Sequence, residues 1–335
     1  MKRLRIVAAA LVCLAAATGL VGAAEEDVTF AQAWVIQGTT SPFYAAIELG
    51  YYKKANLNVN IVRGFGSMDT VKKVAAGTFP YGLGDAGVVV VGRSRGAMVK
   101  LLALETAQSQ YAWHTLKGSG IRTAKDLEGR ITGGPEGDAH KSLFPALAAI
   151  NRIDPNKLKW VTMPNSAMIG SLLTGKVDVI PFFTIVAPFV RAAAEKAGKE
   201  AVTIPWAKWG LDLYSIGIMA TDETIAQKRD QVKRFVDASV RAMAWAVENP
   251  GKAIEILKKH NPASDVALAR ENWEINIDSM LTEEAAKIGI CKMSEEKMKR
   301  TRDIMTKYTN LSVVVPVKDL YTNEFIPTLF PKRGK

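Results

Sequence analysis

The chain has 335 residues, 48% hydrophobic and 23% charged, with a formal net charge of +11. It has two cysteines, Cys13 and Cys291. Only Cys291 lies beyond the N-terminal segment described next, which excludes an intramolecular disulfide, and a chain this long can bury a large core without one. Its length suggests two domains, and its basic residues lie along predicted helices without interleaved aromatics, which argues against a nucleic-acid surface.

Residues 1–24 read as a secretory signal peptide. Lys2, Arg3 and Arg5 form a basic head, an apolar run over 6–17 follows, and small residues end in Val21-Gly22-Ala23-Ala24. The alternative is an uncleaved anchor helix. Removing the three basic residues lowers the charge from +11 to +8. No later segment approaches a transmembrane span. The predicted location is the periplasm, with cleavage near residue 24.

From there strands and helices alternate. Residues 28–35 read as a strand, and Ser41-Pro42 starts a helix, serine as N-cap and proline at the first helical position. Residues 57–61 alternate at period two, as a strand does. Ser67 caps a helix to about Gly77, 79–84 is a strand, Asp85 caps the next helix, and 98–106 is another strand. The rhythm repeats after Ile121, with strands at 130–133, 158–163, 177–181 and 201–204 and helices between them. A strand at 214–220 follows, then a long helix capped by Asp222 and running to Glu248. Helices at 251–260, 264–280, 294–308 and 317–325 complete the chain. The pattern predicts an α/β fold with mostly parallel sheets flanked by helices. Crossings near 113–117 and 206–211, with Gly118 and Gly210, would join two units, the second having its own core.

The run Ser41-Pro42-Phe43-Tyr44-Ala45-Ala46-Ile47-Glu48-Leu49-Gly50-Tyr51-Tyr52 resembles the N-terminal signature of solute-binding proteins of ABC importers. The group concerned binds sulfonates, taurine, nitrate and pyrimidine precursors of thiamine. Asn56 stands where that group usually has glycine, which a left-handed turn tolerates. Further matches are Gly64-Phe65-Gly66-Ser67, Tyr81-Gly82-Leu83-Gly84-Asp85-Ala86 and Leu172-Leu173-Thr174-Gly175-Lys176-Val177-Asp178. The resemblance implies a two-lobe periplasmic-binding-protein fold (type II) that closes on a small solute and delivers it to a membrane permease. Residues 25–115 and 208–335 would form the first lobe and 116–207 the second. The resemblance also implies a monomer without a cofactor. The related eukaryotic pyrimidine synthase carries a cysteine-rich iron motif that this chain lacks.

In open α/β sheets, ligands lie beyond the carboxyl ends of the strands, at helix N-termini. The candidate ligand-binding residues there are Trp34, Gln37, Thr39, Phe43, Tyr44, Phe65, Ser67, Asp85, Glu136, Asp138, Phe182 and Phe183. Of Phe43 and Tyr44, one is expected to face the cleft and the other the core. Carboxylates at Glu136 and Asp138 would repel an oxyanion and favour a solute with N–H donors or positive charge. Aromatic walls favour a flat ring. Glu136, Asp138 and His140 do not match a known metal motif, and the chain shows no Gly-x-Ser-x-Gly, Gly-x-x-x-x-Gly-Lys or His-Glu-x-x-His sequence. The expected function is therefore binding rather than catalysis. An exported enzyme on the same scaffold would have to use those three residues.

Overall fold

The computed structural model describes residues 25–136 and 138–334. The expected signal segment 1–24 lies outside the described residues, as does Gly137. The chain begins with β1 (Glu26–Ala31), α1 (Ser41–Glu48), α2 (Tyr51–Lys54), β2 (Leu57–Val62), α3 (Ser67–Ala75), β3 (Tyr81–Asp85), α4 (Ala86–Ser94) and β4 (Val99–Leu104). It continues with β5 (Tyr111–Leu116), β6 (Ile131–Gly134), α5 (Ala139–Ile150), β7 (Lys159–Thr162), α6 (Asn165–Leu173), β8 (Val179–Phe183), α7 (Ala187–Lys196) and β9 (Ala201–Pro205). After β10 (Ile216–Thr221) come α8 (Asp222–Gln227), α9 (Arg229–Glu248), α10 (Pro250–His260), α11 (Val266–Met280), α12 (Glu283–Ile288) and α13 (Glu295–Tyr308).

Two five-stranded sheets result, ordered β2-β1-β3-β10-β4 and β7-β6-β8-β5-β9. In each, four strands run parallel and a fifth, β10 or β5, runs antiparallel between its neighbours. Both antiparallel strands are the ones that arrive from the other sheet. They enter at the shared edge, so they run against strands that end there.

Local chemistry explains the elements. In β2, Leu57 and Val59 are buried while Asn58 and Asn60 face solvent. Pro42 lies in the first turn of α1, and Asn56 takes a φ of +56° in the turn before β2. Asp85 and Asp138 accept backbone N–H groups at the starts of α4 and α5. Cys291 is buried, as a small core residue.

The structure corrects four expectations. The segment 113–117 is not a crossing; it belongs mostly to β5, and the chain passes between the sheets at 105–110. The long helix after β10 is broken at Lys228, and Thr221 rather than Asp222 caps its first part. Of 317–325, only Val317–Asp319 is helical, and Tyr321 instead bridges to Leu101 of β4. The second sheet does not have a wholly separate core. Its α5 side, with Trp113, Phe144 and Trp206, belongs to the same buried cluster as the first sheet, and a small separate cluster, including Met168, Leu172 and Val190, fills its other side. Among the described residues no helix is long and apolar enough to cross a membrane.

Candidate functional site

The strands β1, β2 and β3 of the first sheet and β6, β7 and β8 of the second end at one junction. Loops and helix N-termini there present free backbone donors and acceptors, so that edge is where an open α/β fold binds ligands. The crossing segments meet it too: β5 starts there with Tyr111, β9 delivers Trp206, and β10 starts there after Ser215.

Asp85 occupies the first-sheet side. Its carboxylate accepts hydrogen bonds from Gly87 N at 2.9 Å, Val88 N at 3.3 Å, the Tyr111 hydroxyl at 3.1 Å and the Ser215 hydroxyl at 3.2 Å. Burial pushes its carboxyl up to about 6, against the lowering effect of those donors. Ser67 Oγ accepts the Asp85 backbone N–H at 3.1 Å. Its four hydrogen bonds make Asp85 a tie between the two sheets.

The second-sheet side carries a group of rings. His140, in the first turn of α5, lies 4.8 Å from Tyr111, 5.4 Å from Phe183 and 5.3 Å from Trp206, centroid to centroid. Tyr111 stacks on Trp206 at 5.5 Å and meets Phe183 edge-on at 5.2 Å. The Asp138 carboxylate accepts His140 N at 2.7 Å and stands 3.3 Å from His140 Nδ1. His140 is 5% exposed and Trp206 0%, yet His140 Nε2 and Trp206 Nε1 find no partner among the described residues. A buried polar atom left unpaired costs about 1–3 kcal/mol, and Trp113 Nε1 and His114 Nε2 of β5 are unpartnered among the described residues in the same way.

Beside these groups, polar side chains of α11 hold the crossing. Asn272 accepts Thr39 N at 2.9 Å and donates to Ile185 O at 2.7 Å, linking the turns after β1 and β8. Asn276 accepts from Thr106 Oγ1 at 2.7 Å and Gln110 Nε2 at 3.0 Å. Glu105, in the crossing itself, is 3% exposed with Oε1 unpartnered, and burial pushes its carboxyl up to about 8 against a hydrogen bond from Thr39. Gly38 lies so close to α11 that a Cβ would collide with the Ala269 carbonyl oxygen.

The expected site residues therefore divide. Trp34 and Gln37 lie half-buried in the loop after β1, where the Trp34 carbonyl accepts Gly64 N at 2.9 Å. Phe65 is 62% exposed beneath Arg63 and Lys73. Thr39 is buried in the α11 network, and Ser67 is tied to Asp85. Of Phe43 and Tyr44, Phe43 is the one that faces the core. Phe43 is fully buried against Phe30, because the inward face of α1 must fill the first core, and Tyr44 stacks on His260 of α10. Phe182 points away from the ring group into the small cluster, while Phe183 joins the rings. Adjacent strand residues face opposite sides of the sheet, which separates the two. Glu136 is exposed, and Asp138 serves His140 and the α5 N-terminus. The sequence does not single out Tyr111 and Glu105, and it places Trp206 at a crossing. Their convergence depends on strand pairing across long separations. Among the described residues no group of three His, Cys, Asp or Glu could hold a metal. Two surface hollows of about 300 and about 490 Å3, one lined by Ala75 and Thr224 and the other by Lys117 and Lys199, lie at the far ends of the sheets.

Residues 37–253 match the sequence profile of a family described as NMT1/THI5 like. The riboflavin-binding protein RibY of Chloroflexus aurantiacus is 25% identical over 312 residues, 90% of this chain and 86% of that protein. The 4-amino-5-hydroxymethyl-2-methylpyrimidine phosphate synthase of Legionella pneumophila is 25% identical over 240 residues, 70% and 74% of the two chains. The periplasmic aliphatic sulphonate-binding protein SsuA of Escherichia coli superposes with a TM-score of 0.68 at 12% identity, over 92% of this chain and 94% of its own. The architecture is thus that of periplasmic binding proteins.

Proposed function

The chain belongs to the NMT1/THI5-like family, and on that premise we propose that it is an extracytoplasmic solute-binding protein delivering a small organic molecule to an ABC importer. The observation that carries this reading is the ring group of Tyr111, His140, Phe183 and Trp206 at the shared edge of the two sheets. Relatives named for binding riboflavin and aliphatic sulphonate support the class. The signal-like segment 1–24 supports export.

The solute is an aromatic or nitrogen heterocycle. Covering one aromatic ring removes roughly 150–250 Å2 from water, on the order of 4–6 kcal/mol before costs. An anion is disfavoured, since the fixed charge beside His140 is the Asp138 carboxylate. The solute shifts a hinge equilibrium by touching both units only when they are closed, and the permease reads the closed surface. No covalent change is made to it.

Isothermal titration with pyrimidines, flavins, sulfonates, nitrate and aromatic acids tests this. One site per chain is expected, with thermal stabilisation rising as the logarithm of solute concentration. Silence across the panel would refute it. Turnover of a bound pyrimidine into product would place the chain with the synthase relative instead.

A further inference from the structure

Resting on the solute-binding reading, we infer that the Arg191–Glu271 ion pair is a latch that holds the two units closed. Arg191 lies on α7 of the second unit and Glu271 on α11. The helix α11 is fixed to the first unit. Trp273 Nε1 donates to the Ala246 carbonyl of α9 at 3.1 Å, and Asn272 accepts Thr39 N at 2.9 Å in the turn after β1. Its contacts beyond that unit follow in order along the helix. Ser279 and Asn276 hold the crossing: Ala107 N donates to the Ser279 carbonyl at 3.1 Å, and Gln110 Nε2 donates to Asn276 Oδ1 at 3.0 Å. One turn earlier, Asn272 donates to the Ile185 carbonyl at 2.7 Å. Next to it, Glu271 accepts both prongs of the Arg191 guanidinium, one at 2.5 Å. Five residues of helix put Glu271 about 7–8 Å from Asn276 along the axis. A rotation at the crossing therefore leaves the Asn276 contacts nearly in place and separates α7 from α11 most at the ion pair. A fork-to-carboxylate pair is lost within a small displacement, because both hydrogen bonds need one geometry. Glu195, one turn along α7 with Oε1 3.6 Å from Arg191 Nε, stays with Arg191 as a partner when Glu271 withdraws. That exchange of partners keeps the opened form accessible, and the exposed setting makes the latch sensitive to salt.

The test measures the separation of the units without any solute. Nitroxide labels are placed on the full mature chain at Lys196→Cys of α7 and Glu255→Cys of α10, both exposed, and pulsed electron double resonance reads the distance between them. Cys291 is buried and stays unlabelled. A short and a long population are expected. Arg191→Glu and Glu271→Arg should each cut the short one at least about threefold, since a reversal replaces attraction by repulsion. Making both changes together should restore it. Raising sodium chloride from about 0.1 to about 1 M should deplete the short population of the chain with its native pair. The same distribution in all four backgrounds, no recovery in the exchanged pair, or indifference to salt would overturn the inference. If the charges control the distance but no solute of the panel shifts it, the solute-binding reading fails and the latch stands. If a panel solute shifts the distance and the charges do not, only the latch fails.

Discussion

The Tyr111 hydroxyl donates to Asp85 Oδ1 across 3.1 Å, joining the first residue of β5 in the second sheet to the last residue of β3 in the first. That bond ties the two units at the point where the rings begin. Tyr111→Phe keeps the ring stack and removes the donor. Unfolding by urea at pH 7 should show a loss of about 1.5–3 kcal/mol, the worth of a hydrogen bond to a charged group. The loss should shrink at pH 5, where Asp85, whose carboxyl titrates near 6, is protonated.

Glu105 and Asp85 should lower stability as pH rises, most clearly between about 6.5 and 8, because between about 4 and 6.5 the buried His114, kept neutral in the fold down to about 4, opposes them. Glu105 gives up its proton near 4.5 when unfolded and near 8 when folded, and Asp85 near 3.8 and 6. Across those intervals the two folded carboxyls hold protons that the unfolded chain has lost, so their titration favours unfolding as pH rises. Glu105→Gln should flatten the curve between pH 6 and 8 and raise stability at pH 8, on the order of a few kcal/mol. Urea midpoints measured across pH check both statements.

Asn272 is fully buried and satisfies Thr39 N and Ile185 O together. Asn272→Ala leaves both backbone groups unpaired at the hinge. We expect a loss of about 2–4 kcal/mol in chemical denaturation, accompanied by faster amide exchange at Thr39.

Arg191 of α7 makes a two-pronged ion pair with Glu271 of α11, one contact at 2.5 Å, on an exposed surface. Exposed pairs contribute less than about 1 kcal/mol to stability. Arg191→Ala should therefore leave the solute-free urea midpoint nearly unchanged. If closure presses these elements together, the same variant weakens solute affinity severalfold in titration.

Elements with their own local signals were legible in the sequence. Asp85 caps α4 as its side chain dictates, and α1 and α3 begin where expected, although Thr40 and Gly66 rather than Ser41 and Ser67 take the N-cap positions. The strand β5 was not legible, because Tyr111, Ala112, Trp113, His114 and Thr115 are all buried and show no alternation to solvent. Their burial depends on β8 and β9, remote in sequence. The same remoteness hid the ring group, in which four elements each contribute one side chain. Phe43 and Tyr44 could not be told apart, because an aromatic at a helix start looks the same whether it faces a ligand or a core.

The central claim is that the two units enclose one small molecule and release it unchanged. Native mass spectrometry of the protein purified from its own host tests this most directly. The account predicts a single non-covalent adduct per chain, lost on denaturation and recovered as an intact heteroaromatic molecule. A bare chain that no panel solute stabilises, or an adduct released as a chemically altered product, would contradict it.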